Sequence, residues 1–336
     1  MKAGKIAESV LKRSVLKPIQ TGNKRNTNAN SAVLSSAIGE DCAALRMQAE
    51  ELVTLTCDPV IGTLDDLELL ANRAVRKGVN NLSASGAKPV GLMLAVLLPT
   101  AANEPQLRKL MEAIQNACEK YGMQILGGHT EVARAVNAPV VVVTAVGAAN
   151  KDEICSTQAV RPGMDIVVSK WVGLEGTVYL ANQYEERLRT RYSQPFIDKA
   201  KAQEGFLTVE SEAAVAISSG VSAMHDASEG GIFAALWEMA EGSGVGLEID
   251  LKKIPIRQET VEICEFFGVN PYKLLSGGSL LMATEDGNGL VHELEKAGIP
   301  ATIIGKATDK NDRILMNEDE RRFLETPQSD EWYSVE

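Results

Sequence analysis

The sequence predicts an α/β (α+β) protein with two domains, on three observations. Segments with the helical spacing of apolar residues alternate with short β-branched apolar segments along most of the chain. A polar stretch with a Pro-Gly pair interrupts this alternation at residues 149–162. The chain's 336 residues also exceed the usual size of one domain. We therefore predict a first domain at 1–154 and a second at 155–336.

The first domain is predicted to begin with a short helix and a polar loop within residues 1–31. Residues 51–57 alternate and include β-branched types, which favours a strand. The segment 65–87 is predicted as a helix, because two aspartates begin it, where negative charge suits the helix dipole, and its apolar residues recur at helical spacing. The residues of its apolar face are Leu67, Ala71, Ala74, Gly78 and Leu82.

The alternation continues through the rest of the first domain. Residues 90–99 form a nearly continuous apolar run, typical of a buried strand. Residues 104–121 have the apolar spacing of an amphipathic helix. Two more strands are predicted at 123–128, which ends in a pair of glycines, and at 138–149, which is rich in valine.

The second domain repeats the mixture of helices and strands, and the pattern leaves open whether its sheet is parallel. Its helix at 230–241 is predicted to bury an apolar face that includes Phe233 and Trp237. The other predicted helices are 207–219 and 290–297, and the predicted strands are 165–170, 220–226, 246–251, 277–284 and 301–307.

Composition excludes several classes of function. The net charge of −11 repels phosphate polyanions, and only 4% of residues are aromatic, so we expect no nucleic-acid partner. The apolar runs are too short to span a bilayer, and no signal peptide is recognisable, so we expect a cytoplasmic protein without a membrane partner. Five widely spaced cysteines without a C-x-x-C pair agree with reduced thiols.

Polar side chains stand where several predicted strands end. Asp58 follows the strand 51–57, and Asp41 follows a glycine and an acid in a loop. Asn81 falls about 60° from Gly78, at the edge of the helix's apolar face, if each residue turns the helix by about 100°, whereas Asn80 is predicted on the far side. A polar group at a buried edge needs a partner. These residues are therefore candidates for a common site.

Two further strand ends carry polar groups. The strand 123–128 ends in Gly127-Gly128 and leads to His129, and the strand 220–226 ends at Asp226. The helix that begins after Ser228 could bind phosphate oxygens on its free N–H groups. Carboxylates suit Mg²⁺, so the sequence predicts a magnesium-nucleotide site without a Walker loop. A turn cap at Asp58 and a plain helix N-cap at Asp226 or Ser228 are open alternatives.

Six blocks occur in an order that resembles a known superfamily: "IGEDCAAL", "TCDPVIG", "VNNLSASGAKP", "ILGGHTEV", "HDASEGGI" and "SGGSLLMA". They resemble the aminoimidazole ribonucleotide (AIR) synthase superfamily, which includes thiamine-monophosphate kinase, selenophosphate synthetase and the hydrogenase maturation factor HypE. The likeness runs over about residues 33–316 and is strongest to the HypE branch, to which "GLEGT" at 173–177 also points. No single block is specific for this superfamily, but the ordered set of six blocks is.

The resemblance implies a fold and a site. The first domain would pair with its twin in a homodimer and build a shared β-barrel, and the second domain would be α/β and close over ATP. The family's metal-binding acids fall on Asp41, Asp58 and Asp226, which would hold Mg²⁺. The residues that the resemblance places on the nucleotide are Asp41, Asp58, Asn81, Gly127, Gly128, His129, Thr130 and Gly230, and its catalytic candidates are His129 and Asp226.

The sequence departs from the family pattern at three places. Asn81 stands where the family has a metal-binding aspartate, and His129 stands where it has an acid. Each change removes a negative ligand, so we expect fewer or weaker metal ions, with Glu131 as a partial substitute. No cysteine follows Cys264, whereas HypE-type proteins carry a C-terminal cysteine that accepts a carbamoyl group. That carrier reaction is therefore not expected.

The resemblance implies an ATP-dependent enzyme that uses the γ-phosphate to activate an amide or carbonyl oxygen, as in hydrogenase maturation, on a protein or small-molecule acceptor. Two alternatives stay open. One is a non-catalytic ATP-binding assembly or sensor protein, which the altered acids favour. The other is a small-molecule kinase like thiamine-monophosphate kinase.

Overall fold

The computed structural model describes residues 8–17, 32–34, 37–47 and 51–335. They form two compact units, one made mainly of Asp41–Ile154 and one made mainly of the chain from Cys155 onward. The helices are α1 Glu8–Leu11, continued by a π-helical turn at Lys12–Leu16, then α2 Leu67–Ala84, α3 Glu104–Lys120, α4 Leu174–Gln183, α5 Glu185–Leu188, α6 Gln194–Lys201, α7 Glu210–Ser218, α8 Gly231–Ser243, α9 Gln258–Phe267 and α10 Gly287–Lys296.

The strands fall into two sheets. Those of the first unit are β1 Ala32–Leu34, β2 Ala43–Arg46, β3 Glu51–Ile61, β4 Lys88–Leu98, β5 Gln124–Val132 and β6 Val140–Asn150. Those of the second are β7 Asp165–Ser169, β8 Ala223–Asp226, β9 Gly246–Asp250, β10 Leu280–Thr284, β11 Ala301–Thr308, β12 Arg313–Asn317 and β13 Glu320–Phe323.

The first unit is a six-stranded sheet in the order β1-β2-β3-β6-β4-β5. Its neighbouring strands are antiparallel except β4 and β5, which are parallel. The two helices predicted from periodicity, α2 and α3, pack together on one face. Leu70 of α2, Leu92 of β4 and Ile114 of α3 are fully buried in the resulting core, so the amphipathic patterns of both helices are confirmed.

The other face of this sheet is partly exposed and apolar. Ile61 of β3 is 57% exposed and Met93 of β4 is 49% exposed. Val142 and Val146 belong to β6, the strand between β3 and β4, and are only partly buried on the same face, because side chains alternate between the faces of a strand. In the part of the chain that the structure describes, this sheet is open, so the barrel shared between two copies stays a prediction.

The second unit contains a seven-stranded sheet in the order β13-β12-β9-β11-β7-β10-β8. All pairs are antiparallel except β9 and β12. Ile166 and Val168 of β7 belong to the core under α8, and Val167 between them is equally buried, so both faces of the central strands are covered. The predicted apolar face of α8, with Phe233 and Trp237, is confirmed.

Three local predictions are wrong. The strand at 51–57 does not end at Asp58, since β3 continues through Pro59 to Ile61. Proline is tolerated there because β2 pairs only with Leu52–Leu55, and Pro59 pairs on its other side with β6. Asn80 does not face outward: it is 2% exposed, because the last turns of α2 are buried all round.

The strand at 123–128 does not end at its glycines either. β5 runs to Val132, and Gly127 and Gly128 adopt φ values of 151° and 150° while they pair with β4. A methyl group on Gly128 would overlap the carbonyl oxygen of Leu94. The glycine at 128 therefore permits close backbone approach within the sheet. Over the described ranges, we find no helix with the length and apolar content that a membrane crossing needs.

Candidate functional site

Asp58 is held at the centre of a hydrogen-bonded group in the first unit. Thr56 and Asp58 are two residues apart on β3, so both side chains face α2, while Lys77 and Asn81 are four residues apart on α2 and share one face. The Asn81 amide nitrogen donates to Thr56 Oγ1 at 2.9 Å and to Asp58 Oδ2 at 2.8 Å. We call Thr56, Asp58, Lys77 and Asn81 the Asp58 cluster.

The Asp58 carboxylate is engaged on both oxygens. Oδ2 accepts a hydrogen bond from Thr56 Oγ1 at 3.1 Å in addition to the one from Asn81, and Oδ1 lies 3.2 Å from the Lys77 ammonium nitrogen. Asn81 is buried, but the side chains of Lys77 and Asp58 are 25% and 21% exposed. The pair is therefore shielded enough to be stronger than a surface ion pair, and it is still accessible to a ligand.

The Asp58 cluster does not fit a divalent cation held jointly by residues 58 and 81. Asn81 presents its NH₂ group, not its carbonyl oxygen, to the carboxylate, and Lys77 places a positive charge on the other oxygen. No group of three or more His, Cys, Asp or Glu side chains suited to a metal occurs among the described residues. Asp41 is half-buried in the loop before β2, and Asp226 lies in the second unit, and both stay predicted ligands.

The predicted phosphate-binding segment lies on the edge strand β5. His129 and Glu131 are two residues apart and therefore on one face, and His129 Nε2 is 3.0 Å from Glu131 Oε2. Both side chains are more than half exposed, so this contact adds little stability. Gly127, Gly128 and Thr130 are also exposed. Three strand spacings separate β5 from β3, about 14 Å, so within this sheet the segment is not adjacent to Asp58.

Asp226 ends β8, as predicted, and is 3% exposed. His225 beside it contacts Glu238 of α8, with 3.0 Å between Nε2 and Oε2. Lys170, directly after β7, is buried and donates to the carbonyl oxygen of Phe206. Burial lowers the pKa of Lys170, and the carboxylates of Glu212 and Asp226 oppose that shift. Asp226 therefore lies among buried charges, which suits a precisely placed acid more than a surface cap.

The helix after Asp226 begins at Gly231, within one residue of its predicted start at 230, and a carboxylate lies at that start. Gly230 precedes α8 with φ of 85°, and its N–H donates to Asp330 at 2.6 Å. Asp330 also accepts from the N–H groups of Leu275 and Trp332, at 3.3 and 3.0 Å. Burial raises the pKa of Asp330 to about 7, against the opposing effect of these bonds. The N–H predicted to bind phosphate is thus already paired.

Two family models match the chain. The N-terminal domain of AIR synthase related proteins matches residues 39–149, and the C-terminal domain matches residues 161–316. The chain belongs to the AIR synthase related protein family.

Individual members of the AIR synthase related family resemble the chain over most of its length. A putative hydrogenase expression/formation protein of Methanocaldococcus jannaschii is 26% identical, over 93% of this chain and 91% of that protein. Carbamoyl dehydratase HypE of Rhodobacter capsulatus is 28% identical over 70% of this chain and 68% of that protein. A solved structure of the hydrogenase maturation protein HypE in complex with ATP superposes with a TM-score of 0.69, at 18% identity, over 98% of this chain and 97% of that one.

Sequence analysis missed two residues that the structure of this AIR synthase related protein brings to the predicted sites. Lys77 precedes Asn81 by one helical turn, and that i, i+4 spacing was a usable signal. Asp330 stands beside Trp332 in an otherwise polar tail, 100 residues from its partner Gly230. No local sequence pattern predicts a contact between two residues that are so far apart in the chain.

Proposed function

We propose that the chain is an ATP-dependent enzyme of the AIR synthase/HypE type, which uses the γ-phosphate of ATP to activate an amide or carbonyl oxygen. The observation that carries the proposal is the match to both domains of the family, in order, over residues 39–149 and 161–316. The likeness to a protein named carbamoyl dehydratase and to one solved with ATP supports it. The acceptor would be a small molecule or a partner protein with such an oxygen, and a role in hydrogenase maturation is one form of the proposal.

The proposed roles of the residues follow from their placement. Asp58 and Asn81 would set the position of Lys77, whose ammonium would contact the phosphates, and Asp226 is proposed as the acid or base from its buried position. His129 and Thr130 on β5 would contact the nucleotide with Gly127 and Gly128, and Gly230 would do so only after Asp330 leaves its N–H. Catalysis would be mostly positioning of the two reactants.

Magnesium enters the proposal as the ion that accompanies ATP. Asp41 in the first unit and Asp226 in the second are each a proposed ligand of such an ion, whereas Asp58 is not, because both of its oxygens already have partners on the chain. When bound, the ion would neutralise part of the phosphate charge. The two acids missing at residues 81 and 129 would each have been a negative ligand, so we expect fewer or more weakly bound ions.

A homodimer is part of the proposal. The open face of the first sheet is apolar along β3, β6 and β4, with Ile61 and Met93 about half exposed. Contiguous apolar surface of this kind favours an interface, and the family resemblance makes a second copy the expected occupant.

Nucleotide binding tests the proposal before any acceptor is known. We expect ATP to bind the purified protein with magnesium, measured by isothermal titration calorimetry, and to bind more tightly than AMP because the γ-phosphate contributes. Lack of ATP binding at millimolar concentration would reject the proposal. Tight binding with no ADP formed, even with candidate acceptors, would support the alternative of a non-catalytic ATP-binding sensor, which the paired state of Asp58 favours.

A further inference from the structure

In the Asp58 cluster, the carboxylate of Asp58 already has a positively charged partner within the chain. A partly buried carboxylate needs a compensating charge, and here the chain supplies it through Lys77 at 3.2 Å from Oδ1. The other oxygen is held by two neutral donors, Thr56 and Asn81. Each of these partners approaches from a fixed element, β3 or α2, so the arrangement is preorganised.

A divalent cation at the same carboxylate would meet two obstacles. It would lie within a few ångströms of the Lys77 ammonium, which repels it, and it would have to displace the Asn81 NH₂ group from Oδ2. The resemblance places a metal-binding aspartate at residue 81, and the amide that stands there and the lysine one turn earlier affect the charge of the site in the same direction. One removes a negative charge, and the other contributes a positive charge.

We propose that the Lys77 ammonium replaces a divalent cation at Asp58, so that this part of the site offers a phosphate group a fixed positive charge without a metal bridge. The side chain of Lys77 is 25% exposed, which leaves part of its hydrogen-bonding capacity for a ligand. The ligand class is a polyphosphate, and in this respect the inference rests on the proposed function. The inference that Lys77 replaces a divalent cation at Asp58 does not rest on the proposed function.

The first test measures binding of Mn²⁺ alone, without nucleotide. Free Mn²⁺ is counted by electron paramagnetic resonance during titration of the full chain, for wild type, Asp58→Asn, the double variant Lys77→Met/Asn81→Asp, and that double variant with Asp58→Asn added. We expect Asp58→Asn to leave the wild-type stoichiometry unchanged. We expect the double variant to gain one site, at least about tenfold tighter than any in wild type, which the added Asp58→Asn abolishes.

The inference is overturned if Asp58→Asn removes a Mn²⁺ site from the wild-type protein. It is also overturned if the double variant has a wild-type circular dichroism spectrum and a cooperative melting transition but gains no site. Should the double variant fail to fold, the single variant Asn81→Asp replaces it, and its Mn²⁺ affinity is expected to lie between those of wild type and the double variant. An affinity equal to that of wild type would then reject the inference.

The second test concerns the phosphate. Lys77→Met is expected to weaken ATP binding about tenfold at saturating Mg²⁺, whereas Lys77→Arg retains most of the affinity because it keeps the charge. Equal ATP affinity in wild type and Lys77→Met would overturn the phosphate role of Lys77. Absence of any nucleotide binding by wild type would reject the proposed function instead. The Mn²⁺ titration would still test whether Lys77 replaces a divalent cation at Asp58.

Discussion

The side-chain nitrogen of Asn81 lies 2.8 Å from Asp58 Oδ2 and donates a hydrogen bond across the interface between α2 and β3. The direction of that bond matters, because a donor at residue 81 satisfies the carboxylate, whereas an acceptor there would leave it in need of a cation. The same nitrogen also reaches Thr56, so the amide links two residues of the strand to the helix. This relationship connects the fold of the first unit to its proposed chemistry.

Asn81→Asp should destabilise the protein in the absence of divalent cations. The change removes the donor to Asp58 and places two carboxylates in contact at a buried position, for an expected loss of about 1–3 kcal/mol in the free energy of unfolding at pH 7. Urea denaturation measures it. The matched control is Gln115→Glu, which sets a carboxylate beside Glu119 on the exposed face of α3 and should cost no more than about 0.5 kcal/mol. Equal losses in both variants would contradict the account.

Gly128→Ala should be much more costly than Gly127→Ala. Both glycines have φ near 150°, so each substitution pays the same kind of backbone strain, but only at 128 does the new methyl group overlap Leu94 of β4. We expect about 1 kcal/mol of destabilisation at 127 and more than about 2 kcal/mol at 128. Thermal denaturation of the two variants compares them directly. Equal melting temperatures would show that β5 does not lie this close to β4.

The stability of the second unit should fall as pH rises from about 4 to about 7. Burial raises the pKa of Asp330 to about 7 in the folded protein, from 3.8, so over that range the folded state holds a proton that the unfolded state has lost. The free energy of unfolding falls by at most about 4 kcal/mol over this pH range. Asp330→Asn should flatten this part of the urea-denaturation profile, while Asp286→Asn, at the exposed start of α10, should not. An unchanged slope in Asp330→Asn would contradict the assignment.

The open apolar face of the first sheet should hold two copies together. Met93→Glu places a charge on that face and is expected to convert the dimer to a monomer in sedimentation velocity at micromolar concentration. Phe323→Glu is the control, because Phe323 is also exposed, at 67%, but lies on β13 of the other sheet. A wild-type monomer, or an equal effect of both substitutions, would reject the proposed interface.

The sequence predicted the elements better than their ends. Periodicity located α2 and α3 because one face of each packs on a single sheet. Locally, Gly127-Gly128 and Asp58-Pro59 indicate strand ends because such residues usually stop a strand, but both strands continue past them because β5 pairs with β4 and β3 pairs with β6. That pairing depends on strands elsewhere in the chain, so it cannot be predicted from the residues near each strand end.

The sequence predicts some residues of the site but not their partners. The sequence predicts a common site for Asp58 and Asn81, and the structure places them in direct contact. Their partner Lys77 was missed because a lysine on a helix is usually solvated. Asp330 was missed because its burial depends on the fold around Gly230 and Leu275, far away in the sequence.

The most direct test of the account is ADP formation from Mg-ATP by the purified protein, with wild type beside Asp58→Asn and with folding of both verified by circular dichroism. The account predicts that wild type forms ADP, and not AMP, and that the variant is at least about a hundredfold slower because Lys77 loses its fixed position. Equal rates in the two proteins, or AMP as the product, would contradict it.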